Sequence, residues 1–384
     1  MSGPLFRVEK MVYGGWGIVR DGDRTILVSG VIPGEDVSIK IVSQDKKTLK
    51  AKPLEIASPS PYRQEPPCPL FGRCGGCMLQ HISCPHQAEL KRETLIETIQ
   101  RIAGLETHVA EIVPSPFPFN YRCRIKLHAR GGKLGFFAEE GRELVEIDYC
   151  RLAEDVINRR TADARELLKR DRPSTIELVR EEEDRVVAVV RKGKRKKSYV
   201  FSEGEGWIFE RDKEHAFRQV NPAMNLRLRE TISETADEIA PGFALELYAG
   251  DGNLTEALAP SCNALLAGDS DAAACRLAIK RLEKFKNIEF TNQSAKDLVN
   301  ECLEKKRRPD LVLLDPPRKG AKEILAGLVE LAPSHIVYVS CDPPALARDL
   351  KDLGKTGYRA KVIRPLDMFP QTYHLEAVAL LKKD

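Results

Sequence analysis

Cys341 stands one residue beyond an apolar, β-branched run, Ile336-Val337-Tyr338-Val339, and the breaker Asp342-Pro343-Pro344 follows it at once. The pattern predicts a buried strand with a thiol at its carboxyl end, the edge at which open α/β sheets bind ligands. A helical pattern from Ala345 to Leu353 comes next, and the positive end of a helix favours a thiolate. The chemistry on offer is nucleophilic attack by sulfur, against the plainer role of a small core residue. Two more segment ends carry carboxylates. Leu311-Val312-Leu313-Leu314 runs into Asp315-Pro316-Pro317-Arg318, and Met368-Phe369-Pro370-Gln371-Thr372-Tyr373-His374-Leu375 delivers Glu376 ahead of a last strand, Ala377 to Leu381. A second group of thiols, Cys68, Cys74 and Cys77, falls within ten residues, with Gly75 and Gly76 between the last two. Glycines let such a loop wrap closely, and three soft ligands suit one soft metal centre, with a fourth to come from Cys84, Cys123 or Cys150. Four thiolates serve zinc or an iron–sulfur cluster equally well.

Positioning these groups takes more than one domain, and 384 residues suffice for two or three with ample core. The net charge of +4 permits a polyanionic partner. No apolar run reaches membrane-spanning length and no apolar leader follows Met1, so a cytoplasmic protein with no membrane partner is expected. In a reducing compartment the ten cysteines point to metal or catalysis rather than to a disulfide framework. Residues 1–57 alternate short strand segments, beginning with Phe6 to Val12, with Gly, Asp and Pro turns, a spacing that suits a closed five-stranded barrel. A proline-rich linker, Pro59 to Pro69, leads into the cysteine loop, and Pro85 to Gly104 carries apolar residues at helical spacing. From Tyr121 to Phe217 strands dominate, and the tract Arg191 to Lys197, six positive charges in seven residues, reads as a hairpin tip that could meet phosphates. Beyond it, Asn225 to Ile239 reads as a helix, and Ala244 to Asn253 as a strand that turns through glycines into a helix, where the backbone can approach a bound nucleoside. Asp269, ending the next strand, stands where a Rossmann acid meets a ribose hydroxyl.

Asp315-Pro316-Pro317-Arg318, then Ser340-Cys341-Asp342-Pro343, then Phe369-Pro370-Gln371-Thr372-x-His374-Leu375-Glu376, in this order, resemble the RNA uracil-5-methyltransferase family. The Gly14 to Gly17 run, the Val31 to Glu35 turn and the basic tail Lys46, Lys47, Lys50, Lys52 look like a TRAM domain, an OB-like RNA-binding module. The resemblance implies a multidomain α/β protein. Its parts would be an N-terminal OB-like β-barrel (1–57), a central β-rich iron–sulfur domain (58–215) and a C-terminal Rossmann-type methyltransferase domain (216–384). It implies Cys341 as nucleophile and Glu376 as base. It also implies an S-adenosylmethionine site of Gln219 (in Phe217-x-Gln219-Val220-Asn221), Tyr248, Asn253, Asp269, Ser294 and Asp315. Cys68, Cys74, Cys77 and Cys150, the last within Cys150-Arg151-Leu152, would ligate a [4Fe-4S] cluster.

The implied reaction is methylation of uridine C5, and combining a TRAM-like module with a cluster favours 23S rRNA as the substrate of a monomeric enzyme. Transfer RNA methylation and a non-catalytic iron–sulfur RNA-binding protein are the alternatives. Two positions depart from the family pattern: Tyr248-Ala249 stands where Phe-Cys is usual, and Asp342 where Asn is usual. A carboxylate beside Cys341 would raise the thiol's pKa unless it is paired.

Overall fold

Three sheets succeed one another along the chain. The computed structural model describes residues 4–44, 48–181, 184–210 and 218–384, and Lys46, Lys47, Ala216 and Phe217 lie outside them. The first sheet comprises β1 (Leu5–Arg7), β2 (Lys10–Val12), β3 (Trp16–Asp21), β4 (Arg24–Val28), β5 (Asp36–Gln44) and β6 (Leu49–Ser58). Its order is β1-β5-β6-β4-β3-β2. The expected five strands are therefore six, because Phe6 to Val12 does not form one continuous strand. Val8 donates its N–H to Glu35 and Glu9 donates to Ile18, so the chain changes pairing partner there and one short stretch serves both edges of the sheet. Val8, Val19, Ile26, Val28 and Val37 fill its interior. Glu35, fully buried, ties the linker to it. Burial opposes its charge, yet the Arg63 guanidinium and the Ser60 and Ile32 amides hold its carboxyl below the usual range.

After α1 (Cys84–Ala103) comes an antiparallel sheet of β7 (Arg124–Arg130), β8 (Lys133–Phe137), β9 (Leu144–Glu146), β10 (Thr175–Arg180), β11 (Val186–Lys192), β12 (Arg195–Ser202) and β13 (Gly206–Glu210). Two helices, α2 (Asp155–Asp163) and α3 (Arg165–Asp171), pack on it through Ile157 and Leu167. The basic tract does form the β11–β12 hairpin tip, turning at Gly193 with φ 58°, although Lys197 is already paired with Asp171.

The third sheet runs β16 (Ile288–Thr291), β15 (Ala264–Gly268), β14 (Phe243–Leu247), β17 (Leu311–Leu314), β18 (His335–Ser340), β20 (Glu376–Lys383), β19 (Tyr358–Leu366). The first five are parallel, and β20 inserts antiparallel between β18 and β19. Parallel strands are buried on both faces, which is why β17 and β18 read as unbroken apolar runs. Helices α4 (Pro222–Ile239) and α5 (Thr255–Leu258) cover one face. The other is covered by α7 (Ala295–Glu304), α8 (Leu325–Leu331), α9 (Pro343–Gly354) and also α1, whose Leu95 and Ile99 join the same apolar cluster as Leu350 and Leu353. Helix α6 (Ala272–Leu282) links β15 to β16. From β14 the chain steps outward to β15 and β16, then returns past β14 to β17, so strand order reverses beside β14, where such sheets open a ligand crevice. No helix among the described residues is long and apolar enough to cross a membrane.

Candidate active site

Strand register brings the expected nucleophile and base together. In the antiparallel ladder Ser340 pairs with Ala377, and at the same end of that ladder stand Cys341, one residue after Ser340, and Glu376, one residue before Ala377. In the parallel ladder Leu314 pairs with Tyr338, which leaves Asp315 at the same edge. Burial pushes the Cys341 thiol up to about 12, the Glu376 and Asp315 carboxyls push the same way, and Arg318 opposes them. Glu376 is buried and held well above the usual carboxylate range by desolvation and then by Asp315, against Arg318. Desolvation raises Asp315 to about 7. Arg318 is exposed and has no ion pair among the described residues, and its charge acts on Cys341 and Glu376 as well as on the neighbouring Tyr373 and His374.

The carboxylate that departs from the family pattern is paired. Asp342 caps α9, one oxygen accepting from the Ala345 amide at 2.9 Å and the other from the Tyr13 hydroxyl at 3.2 Å. Of the acids that raise the Cys341 thiol it comes last. The loop before Glu376 is likewise pinned by distant elements. Gln371, in left-handed backbone with φ 67°, exchanges hydrogen bonds with Gln87 of α1, and its carbonyl accepts from the Met78 and Leu79 amides of the cysteine loop. Lys91 of α1, wholly buried, donates to Asp367 at 2.6 Å and to the Phe369 carbonyl at 3.0 Å.

On the other side of the crevice stand the residues expected to bind a methyl donor. Tyr248 ends β14 with φ 63°, a conformation bulky residues seldom adopt, and its hydroxyl donates to Glu323 at 3.3 Å. Asp269 accepts from the Gly250 and Asp271 amides at 3.0 and 2.8 Å, which locks the glycine turn against the end of β15. Asn253 and Asn225 exchange two hydrogen bonds, tying the turn to α4. Gln219, half-buried, lies just before α4, where Asn221 caps the helix. Ser294 caps α7, accepting from the Asp297 amide and donating to the Asp297 carboxylate. The sequence reading missed Glu246. It is buried within β14, one of its carboxylate oxygens has no partner, and desolvation raises it to about 8, with Asp315 and Asp269 adding to the rise. With Asp315 and Asp269 both acting on Glu246, the three acids form a cluster, an acid trough, whose charge favours a cationic ligand.

The four candidate metal ligands meet elsewhere. Cys68, Cys74, Cys77 and Cys150 line one cavity of about 80 Å³ together with Arg122. The other two candidates for the fourth position are engaged away from it: Cys123 donates to the Gln219 carbonyl and Cys84 accepts from Gln371. Burial raises Cys77 to about 12 and raises Cys74, each further raised by Cys150, while Arg122 opposes. Among the described residues no group of three or more His, Cys, Asp or Glu side chains stands close enough to hold a metal ion. The thiols surround a space instead of closing on a point.

Comparison with known proteins bears on the whole chain. An RNA methyltransferase of Bdellovibrio bacteriovorus is 32% identical, with 98% of this chain and 94% of that protein covered. The 23S rRNA (uracil(1939)-C(5))-methyltransferase RlmD of Pectobacterium atrosepticum is 28% identical over 96% of this chain and 91% of its own length. Among solved structures, the tRNA (uracil-54, C5)-methyltransferase of Pyrococcus abyssi in complex with S-adenosyl-L-homocysteine superposes with a TM-score of 0.68 at 25% identity, over 99% of this chain and 100% of that one. The tRNA (uracil-5-)-methyltransferase family profile matches residues 140–384, the stretch that holds Cys341, Glu376 and the acid trough, and the chain belongs to that family.

Proposed function

We propose that the protein methylates C5 of one uridine in 23S rRNA, with S-adenosylmethionine as donor. The observation that carries this reading is the meeting of Cys341 and Glu376 across β18 and β20. Uracil C5 is too weak a nucleophile to be alkylated directly. Once its proton has passed to solvent, the Cys341 sulfur bonds to C6 and the C5=C6 electron pair shifts to make an enolate with electron density at C5. S-adenosylmethionine supplies an electrophilic methyl group to that carbon, held by Gln219, Tyr248, Asn253, Asp269, Ser294 and Asp315, beside a Glu246–Asp269–Asp315 trough that suits its positive charge. Glu376 then takes the C5 proton, and the sulfur leaves C6 as C5=C6 re-forms. A carboxylate pushed far above its usual range is a stronger base than a solvated one, which fits this role. Arg318 favours the anionic sulfur and the enolate.

In this reading the first sheet is a TRAM-like, OB-type RNA-binding module, residues 58–215 form the cysteine-bearing unit and 216–384 the methyltransferase unit of a cytoplasmic monomer. Cys68, Cys74, Cys77 and Cys150 hold a [4Fe-4S] cluster. A cluster offers each thiolate its own iron and so spreads its ligands around a volume, whereas zinc draws four sulfurs to one point. The cavity geometry favours the former, and the buried Arg122 offsets the negative charge of four thiolates. Iron and sulfide in anaerobically purified protein are the expected finding, and zinc alone would refute it.

Methylation of unmodified 23S rRNA and tRNA transcripts, with nucleoside mass analysis, tests the activity. The expected product is 5-methyluridine in 23S rRNA, and 5-methylcytidine or no product would overturn the proposal. A tRNA substrate is the second reading, supported by the full-length superposition on the Pyrococcus abyssi enzyme.

A further inference from the structure

Two glycine runs far apart in sequence, Gly14-Gly15 in the turn between β2 and β3 and Gly75-Gly76 in the cysteine loop, line one cavity of about 370 Å³. The Gly14-Gly15 run has no part in the chemistry above. Glycine is required where each run packs: a Cβ on Gly14 would meet the Trp16 ring at 2.8 Å, and one on Gly75 would meet the Phe137 and Ala138 carbonyls at 3.1 Å. The rest of the wall is largely aromatic. Trp16 lies on one side, Phe137 stacked on His128 at 4.0 Å on another, and Tyr373 borders it from the loop that delivers Glu376. Lys50 sits 5.2 Å from the Trp16 ring centre. Glu139 also lines the cavity, but Lys52 pairs with it and burial raises its carboxyl, so its charge is muted.

The cavity adjoins both special sites. Gly76 also lines the cysteine cavity. Tyr373 packs edge-on against Tyr13 at 5.2 Å, and Tyr13 donates to Asp342, the neighbour of Cys341. We infer that this cavity receives a second unstacked base of the RNA, from a nucleotide near the target uridine. The inference rests on the RNA reading above. Flat π-faces with a lysine beside them are how proteins hold splayed bases, and extracting a target base frees its neighbours from the stack. A base seated there would touch the first sheet, the cysteine loop and the catalytic loop at once, fixing the distance from that base to the uridine at Cys341.

The chain has two tryptophans, Trp16 and Trp207, so Trp207→Phe leaves Trp16 as the sole indole reporter. The titrant is a series of stem-loop fragments of 23S rRNA, intact and with single abasic nucleotides scanned along them. Intact RNA is expected to quench Trp16, with the quench lost at one abasic position that also raises KM for the RNA. Trp16→Ala is expected to raise that KM about tenfold with the KM for S-adenosylmethionine unchanged, and Trp16→Phe to restore most of it. A quench indifferent to every abasic position overturns the inference. So does a Trp16→Ala KM within twofold of wild type, and if Trp16→Ala does not fold, the abasic scan still decides. Uridine methylation at full rate without a base-dependent quench defeats this cavity alone. A base-dependent quench without methylation defeats the proposed reaction and leaves the cavity standing.

Discussion

Cys341 and the four-cysteine cavity are both half-buried thiol sites, yet the fold fixes them by different means. Cys341 is placed by strand pairing: the Ser340–Ala377 and Leu314–Tyr338 register sets where it lies relative to Glu376 and Asp315 before any ligand arrives. The cavity is built from loops tied to the sheet by single backbone contacts, such as Gly75 N–H to the Phe137 carbonyl, and its thiols face one another with hydrogen bonds from Gln80 and Gly76 and the Arg122 charge to offset them. Electrostatics differ in the same way. Burial raises all three thiols most; at Cys341 the Glu376 and Asp315 carboxyls add to it, whereas at Cys74 and Cys77 other cysteines do, a cost that a cation at the centre removes. The reactive site is therefore ready without a ligand, while the cysteine site depends on its ligand.

The sharpest test exchanges the two sulfurs' roles. Cys341→Ser is expected to lower methyl transfer by about 10⁴-fold or more with an unchanged melting temperature, because register and packing remain. Loss of folding in that variant would erase the contrast. Glu376→Gln should slow turnover by about 10²- to 10⁴-fold and leave RNA covalently attached to Cys341, visible as a slow band on a denaturing gel, since the C5 proton has no acceptor. Absence of the adduct would take the base role from Glu376. Cys77→Ser is expected to behave the opposite way to Cys341→Ser, with bound iron lost and a lower melting temperature, because Cys68, Cys74 and Cys150 lose a centre to face. A melting curve equal to wild type would show that the cavity holds itself together.

Cys341 and Asp315 are legible in the sequence because each follows an apolar run beside a chain-breaker, and burial of a parallel sheet on both faces keeps those runs uninterrupted, whereas Glu376 is legible as the residue that opens the last strand. Glu246 is not legible for the same reason. An acid in Ala244-Leu245-Glu246-Leu247 reads as the wet side of an alternating strand, and only the helices on both faces make it interior. Ser294 illustrates a signal passed over, since Ser294-Ala295-Lys296-Asp297 is a helix-capping pattern in its own right. Six strands in place of five follow from a change of pairing partner at Val8 and Glu9 that no local pattern encodes. The Tyr13–Asp342 contact spans 329 positions and lies beyond any spacing argument.

Acidity offers a quieter probe of the register-built site. Asp315 and Glu246 carry folded-state values of about 7 and about 8, above those of an unfolded chain. Their contribution to stability is thus complete below about pH 4 and is lost as pH rises through 7 to 8, where burying the charged forms opposes folding. The melting temperature of the donor-free protein should fall across that window. S-adenosylhomocysteine should restore part of it, and Asp315→Asn should flatten the fall. A pH-independent melt would mean that the trough is solvated.

The smallest effect concerns the one contact that joins the first sheet to the nucleophile. In Tyr13→Phe the Asp342 oxygen at 3.2 Å loses its donor while the other oxygen keeps its cap on Ala345, so helix α9 stays anchored and the melting temperature should not move. The carboxylate is then less neutralised beside Cys341 and its field acts more strongly against the thiolate. The expected result is a three- to tenfold slower covalent addition at neutral pH, about what one hydrogen bond supplies, with the rate profile displaced to higher pH. Asp342→Asn removes the charge that Tyr13 restrains. In that background Tyr13→Phe should therefore change nothing, and a slowing of equal size there would show that Tyr13 acts through packing on Tyr373 and not through Asp342.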